Sequence, residues 1–208
     1  ELIFAGQPNI KDKKILNDCV FYDKLGNDDK DFFDFFIYKI CNFSIVGQSG
    51  DLAFSYIFNK AVLNHNALHP NYLTKGIILP KSFKKNSTKQ HLNYNQVISV
   101  KTFHFFSDVI FPFAKYISAI HFKNLQYFKT KDIELIENDE DEILQATKEL
   151  IIYKESKGKL NLTENQREKN NYLNNLLNEC SFATCKLRSI DVGVNFSPSY
   201  LDKFEINK

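Results

Sequence analysis

The chain has 208 residues, 43% of them hydrophobic and 25% charged, with a formal net charge of +2. That is enough chain for one large domain with a real core, and the charge balance gives no reason to expect nucleic acid as a partner. Of the 27 basic residues only Arg167 and Arg188 are arginine, the side chain best suited to reading bases and phosphates.

The sequence contains no methionine and opens inside an apolar run, Leu2-Ile3-Phe4-Ala5. It therefore reads as a fragment whose N-terminal part is missing, or as a processed chain. The four cysteines, Cys19, Cys41, Cys180 and Cys185, form no C-x-x-C pair, so no metal site is expected. Cys19 and Cys41 lie in apolar runs and read as small core residues. A reducing cytoplasm fits this usage.

In chain order, Ile3 to Ala5 reads as a short buried strand ended by Gly6-Gln7-Pro8, and Cys19 to Tyr22 as a second. Lys30 to Cys41 reads as a helix with Phe32, Phe33, Phe36, Ile37 and Ile40 along one face. Phe43 to Val46 has the look of a parallel strand buried on both sides. Asp51 to Lys60 reads as helix, and Ala61-Val62-Leu63 and Ile77-Ile78-Leu79 as strands, the latter stopped by Pro80. Lys81 to Gln90 reads as a solvated, lysine-rich loop. The run from Phe103 to Phe122 has the length of a membrane span, but His104, Asp108, Pro112, Lys115 and His121 make crossing too costly. Core structure is the first reading there, and a patch in peripheral contact with a membrane the second. Asp139 caps a helix reaching Lys157, with Glu142 completing a capping box and Ile143, Ala146, Leu150 and Tyr153 facing inward. Thr163 to Cys180 is a second, polar helix.

Strands alternating with helices imply βαβ units: an α/β fold with a Rossmann-like parallel sheet and helices on both faces. Residues 1–160 form this domain on the sequence reading. Residues 161–208 supply a C-terminal helix and tail packing on it or beyond it.

One segment has chemical content. Phe43 to Asp51 reads as strand, glycine turn and helix start, an arrangement whose free N–H groups bind phosphate. Gly47 and Gly50 let the backbone turn and approach a ligand, and Ser49 adds a hydroxyl. The loop lacks the Gly-Lys-Ser/Thr of a Walker A motif and is not G-x-G-x-x-G. Gly47-Gln48-Ser49-Gly50 fits the G-x-S-x-G nucleophile elbow except at Asp51. A serine hydrolase using Ser49 is thus one alternative, although nothing singles out its histidine among His65, His69, His91, His104 and His121. A turn that merely closes a βα unit is another.

Short motifs in order also resemble a family of bacterial glycosyltransferases found with surface-polysaccharide biosynthesis. They are Val20-Phe21-Tyr22-Asp23, Asp34 to Phe43, Ser49-Gly50, Leu63-Asn64-His65-Asn66, Leu79-Pro80-Lys81, Ile136 to Ile143 and Phe196 to Leu201. The resemblance implies the C-terminal, donor-binding half of a two-domain GT-B enzyme, with its N-terminal domain missing. Tyr22 and Asp23 stand in reversed order, and no arginine accompanies Gly6. On this reading a nucleotide-sugar donor lies between Gly6 and the turn of Gly47, Ser49, Gly50 and Asp51. Asn64, His65 and Asn66 meet the sugar or phosphates, and Lys81 adds positive charge. The resemblance further implies a metal-independent reaction without a cofactor and a glycan or lipid-linked acceptor. It places the enzyme in the cytoplasm or at the inner face of the membrane. No catalytic residue is assigned, since the general base often comes from the other domain. A non-catalytic nucleotide- or sugar-binding module is the remaining alternative.

Overall fold

The computed structural model describes residues 2–4, 19–21, 27–47, 54–55, 57–67, 75–92, 94–97, 128–180 and 195–206. The Phe103 to Phe122 run, Gly6 and the turn residues Ser49, Gly50 and Asp51 lie outside them.

Strands β1 (Leu2–Phe4) and β2 (Cys19–Phe21) pair in parallel, Ile3 opposite Val20. Helix α1 (Asn27–Ile40) leads to β3 (Phe43–Val46), and β4 (Ala61–Ala67), β5 (Gly76–Pro80) and, further on, the short helix α2 (Tyr94–Val97) follow. These three strands form a parallel sheet in the order β3-β4-β5. The segment at Phe196 extends it: Ile78 N–H donates to the Asn195 carbonyl at 2.8 Å and Ser197 N–H to the Ile78 carbonyl at 2.9 Å. Paired on both sides, β5 is buried along its whole length.

Period-two alternation divides the side chains of the sheet between its two faces. On one face Leu63, Ile77 and Leu79 pack with Ala146, Leu150 and Tyr153 of α3 (Glu140–Glu155). On the other, Val46 and Val62 pack with Tyr38 of α1, and Ile78 joins a larger cluster. That cluster holds Phe83, Phe128, Leu173, Phe196, Leu201 and Phe204. Leu173 comes from α4 (Glu164–Cys180) and Leu201 from α5 (Pro198–Lys203). The chain is therefore mixed α/β, with a small parallel sheet and helices against both of its faces. Residues beyond 160 contribute a partner to β5 and side chains to the core.

Gly76 is fixed by close approach. Its φ is +151°, and a Cβ there would stand 1.9 Å from the Val62 carbonyl oxygen. The α3 cap is as the sequence predicts, with Asp139 and Glu142 bonded reciprocally.

Three expectations are corrected. Lys81 to Gln90 is not a loop. It contains β6 (Ser82–Lys85), which pairs antiparallel with β7 (His91–Leu92) and with β8 (Ile133–Ile136). Phe83, 1% exposed, drives the burial, while Lys84 and Lys85 flank it toward solvent. Second, β3 lies at the edge of its sheet among the described residues, so Ile45 is exposed. Third, the inward face of α1 is rotated from the expected stripe. Ile37 and Tyr38 are buried, whereas Phe32, Phe36 and Ile40 are exposed. Tyr38 stacks on Phe54 at 5.5 Å, and Phe35 meets Phe58 edge-on at 4.7 Å. The aromatic pairs decide which side of the helix faces the sheet.

Candidate functional site

Parallel sheets bring the C-terminal ends of their strands to one edge, where open α/β proteins bind ligands. At this edge β3 ends at Val46, just before Gly47, β4 closes with Asn64-His65-Asn66-Ala67, and β5 ends at Pro80, just before Lys81. The register aligns Asn64 with Val46 and with Ile78. Gly47, Asn64, His65, Asn66 and Lys81 are thus brought to one end of one sheet.

The pairing between β4 and β5 steps from Asn64–Ile78 to Ala67–Pro80. Two residues of β4, His65 and Asn66, stand opposite one of β5, Leu79, which makes a bulge. Bulges are uncommon in parallel pairs, and they re-aim side chains. Asn66 takes φ of +53°, a left-handed conformation that asparagine tolerates better than most residues. Beyond the bulge, Lys81 N–H donates to the Ala67 carbonyl at 3.0 Å and the ladder resumes.

The backbone groups freed by the bulge are held by Asn138, just before α3. The Asn66 N–H donates to Asn138 Oδ1 at 2.7 Å, and the Asn138 N–H donates to Asn66 Oδ1 at 2.6 Å. Asn138 Nδ2 donates to the Pro80 carbonyl at 2.8 Å. This clasp ties the ends of β4 and β5 to the start of α3. Asn66 Nδ2 also lies 3.1 Å from His65 Nδ1.

Asn64 is different. It is fully buried, and neither Oδ1 nor Nδ2 has a hydrogen-bond partner. A buried amide left unpaired costs about 1–3 kcal/mol, so such a group calls for an explanation.

The charges at the edge are largely matched. Lys81 Nζ lies 2.5 Å from Glu137 Oε1, so the cation expected to meet phosphate already has a carboxylate partner. Burial pushes the His65 imidazole below the usual histidine range; nearby Glu137 opposes that and Lys81 adds to it. Gly47 is not needed for backbone conformation, since its φ is not positive. A Cβ there would lie 4.0 Å from His65 Cε1, so the glycine leaves room beside the imidazole.

Glu137 and Asn138 belong to a stretch whose sequence signal was structural, the approach to the α3 cap. Their place at this edge depends on hydrogen bonds across 72 residues, for which no local spacing gives a sign. Ser49, Gly50 and Asp51 follow Gly47 in the sequence and lie outside the described residues. Ser55 is tied to β3 through Ser44, their Oγ atoms 2.6 Å apart. Among the described residues no group of three histidine, cysteine, aspartate or glutamate side chains is placed to hold a metal. None of their helices is long and apolar enough to cross a membrane.

Comparison with known proteins returns no match: no protein-family model, no curated protein and no solved structure matches this chain.

Proposed function

We propose that the chain is the donor-binding part of a glycosyltransferase of the two-domain GT-B kind, with a Rossmann-like sheet. On this reading it holds a nucleotide sugar at the C-terminal ends of β3, β4 and β5. The observation that carries the reading is Asn64, whose buried amide has unused donors and acceptors at the edge where α/β sheets take ligands. An unpaired buried amide is retained against its cost where function uses it. The amide is out of contact with solvent, so a ligand must displace the atoms covering it.

The resemblance assigns the rest of the donor. Backbone N–H groups near Ser49, Gly50 and Asp51 would stabilise the leaving phosphate, where negative charge grows in the transition state. A glycan or lipid-linked acceptor would dock on a second domain, and that domain would supply the general base.

Thermal unfolding of the chain with a panel of nucleotides and nucleotide sugars tests the reading. A ligand at a hundred times its Kd raises stability by about 2.7 kcal/mol, seen as a higher melting temperature. Asn64→Leu is expected to remove that rise without lowering the melting temperature of the free protein. If no nucleotide or nucleotide sugar moves the melting temperature of the wild-type chain, the donor-domain reading is wrong. Covalent labelling of Ser49 by a fluorophosphonate would replace it with a serine hydrolase.

A further inference from the structure

The hydrogen bonds of the clasp fix the place of the imidazole proton on His65. A backbone N–H only donates, so the Asn66 atom that meets the Asn138 N–H is an oxygen. The other terminus of that amide is Nδ2, a donor, and it faces His65 Nδ1. Nδ1 must then offer its lone pair, which places the imidazole proton on Nε2. Asn138 is pinned in the same way, since Oδ1 receives the Asn66 N–H and Nδ2 donates to the Pro80 carbonyl. Flipping either amide would set donor against donor and acceptor against acceptor. A second proton on His65 Nδ1 would meet the Asn66 amide hydrogens head-on.

His65 is therefore a neutral donor through Nε2, and that atom has no partner among the described residues. Lys81, the cation of this cluster, is engaged by Glu137. What the strand ends hold is an imidazole N–H, the buried and unpaired amide of Asn64 and the space left by Gly47. Phosphate is drawn to uncompensated cations and arrays of backbone N–H groups. Neutral amides and a neutral imidazole instead suit hydroxyl groups, which donate and accept together.

We propose that the Asn66–Asn138 clasp locks His65 as a neutral Nε2–H donor to a hydroxyl oxygen of an uncharged sugar ring. Asn66 and Asn138 are positioning residues, and His65 is the contact. This rests on the donor-domain reading and deepens it, giving the sugar, not the phosphates, to this edge.

The test is nuclear magnetic resonance of the full chain carrying isotope-labelled histidine, with the His65 signals identified by their loss in His65→Gln. At about pH 8, above the ordinary histidine pKa near 6.5, wild type is expected to show the Nε2–H tautomer. In Asn66→Asp a carboxylate oxygen faces Nδ1, and the signal is expected to change to Nδ1–H or to imidazolium. An Nδ1–H tautomer in wild type, or identical signals in both proteins, overturns the lock. The wild-type chain is then titrated separately with inorganic phosphate and with the methyl glycosides of glucose, galactose and N-acetylglucosamine. A glycoside is expected to move the His65 Nε2 signal and phosphate to leave it in place. Movement with phosphate, or with none of the glycosides, overturns the sugar assignment. His65→Ala is expected to weaken glycoside binding by about tenfold or more, and His65→Gln, which restores an N–H donor, by only about threefold. Failure of every nucleotide to bind would remove the donor-domain reading while leaving these signals readable.

Discussion

Glu149 and Asn64 are both polar and both buried, at 7% and 0% exposure, and they lie on elements packed against each other, α3 and β4. Glu149 is saturated. Oε2 accepts from Ser197 Oγ at 2.6 Å, and Oε1 accepts from the Ser199 N–H at 3.0 Å and Gln145 Nε2 at 3.3 Å. It places a carboxylate at the start of α5, where helix N–H groups would otherwise be unpaired. The side-chain amide of Asn64 has no hydrogen bond on either terminus. The first cluster holds the C-terminal segment against α3 and leaves nothing over for a ligand. The second has unspent hydrogen-bonding capacity. Buried polarity alone therefore does not mark a site in this protein; unsatisfied buried polarity does.

Substitutions can break that contrast or sharpen it. The largest effect is expected at the frame on which both clusters depend. Gly76→Ala drives a Cβ into the Val62 carbonyl and should cost about 4 kcal/mol or more, read as a collapse of the denaturation midpoint. Glu149→Leu leaves the Ser199 N–H unpaired in the interior and takes from the Ser197 hydroxyl its carboxylate acceptor, and should cost about 3 kcal/mol, measured by chemical denaturation. Asn138→Ala removes the side-chain bonds of the clasp, leaving the Asn66 N–H and the Pro80 carbonyl without them, and should cost about 2 kcal/mol. Asn64→Leu should run the other way, being neutral or stabilising by about 1 kcal/mol, because an apolar side chain of similar size replaces an orphaned amide. A loss of stability there comparable to that of Glu149→Leu would show Asn64 to be ordinary packing.

The smallest effect is a dependence on pH. Burial lowers the folded-state pKa of His65 below its unfolded value. Between the two values the unfolded chain binds more protons, so stability rises with pH. The contribution is fully present above the unfolded histidine pKa, near 6.5, and is lost as pH falls through the folded value. Denaturation of wild type and His65→Gln at several pH values should show that dependence in the first and its loss in the second.

Local signals made part of this fold legible. The α3 cap could be read from Asp139 and Glu142, and β3 and β5 from short apolar runs beside glycine or before proline. The second sheet could not. In β6 one buried residue, Phe83, stands among serine and lysines, and its partner β8 lies far along the chain. The stripe on α1 was visible, but which edge of it turns inward depends on Phe54 and Phe58 across the following segment. At the candidate site the triplet Asn64-His65-Asn66 stood out in the sequence. Its reciprocal bonds to Asn138 and the pairing of Lys81 with Glu137 come only from tertiary placement.

The bridge between Ile78 and Phe196 has a consequence for synthesis. At ordinary elongation speeds the ribosome needs on the order of ten seconds to pass from one of these residues to the other. During that interval β5 has one side without its strand partner, and Ile78 waits for much of its apolar surroundings. The nascent chain therefore carries a sticky, unpaired edge until residues 195–206 emerge to close it.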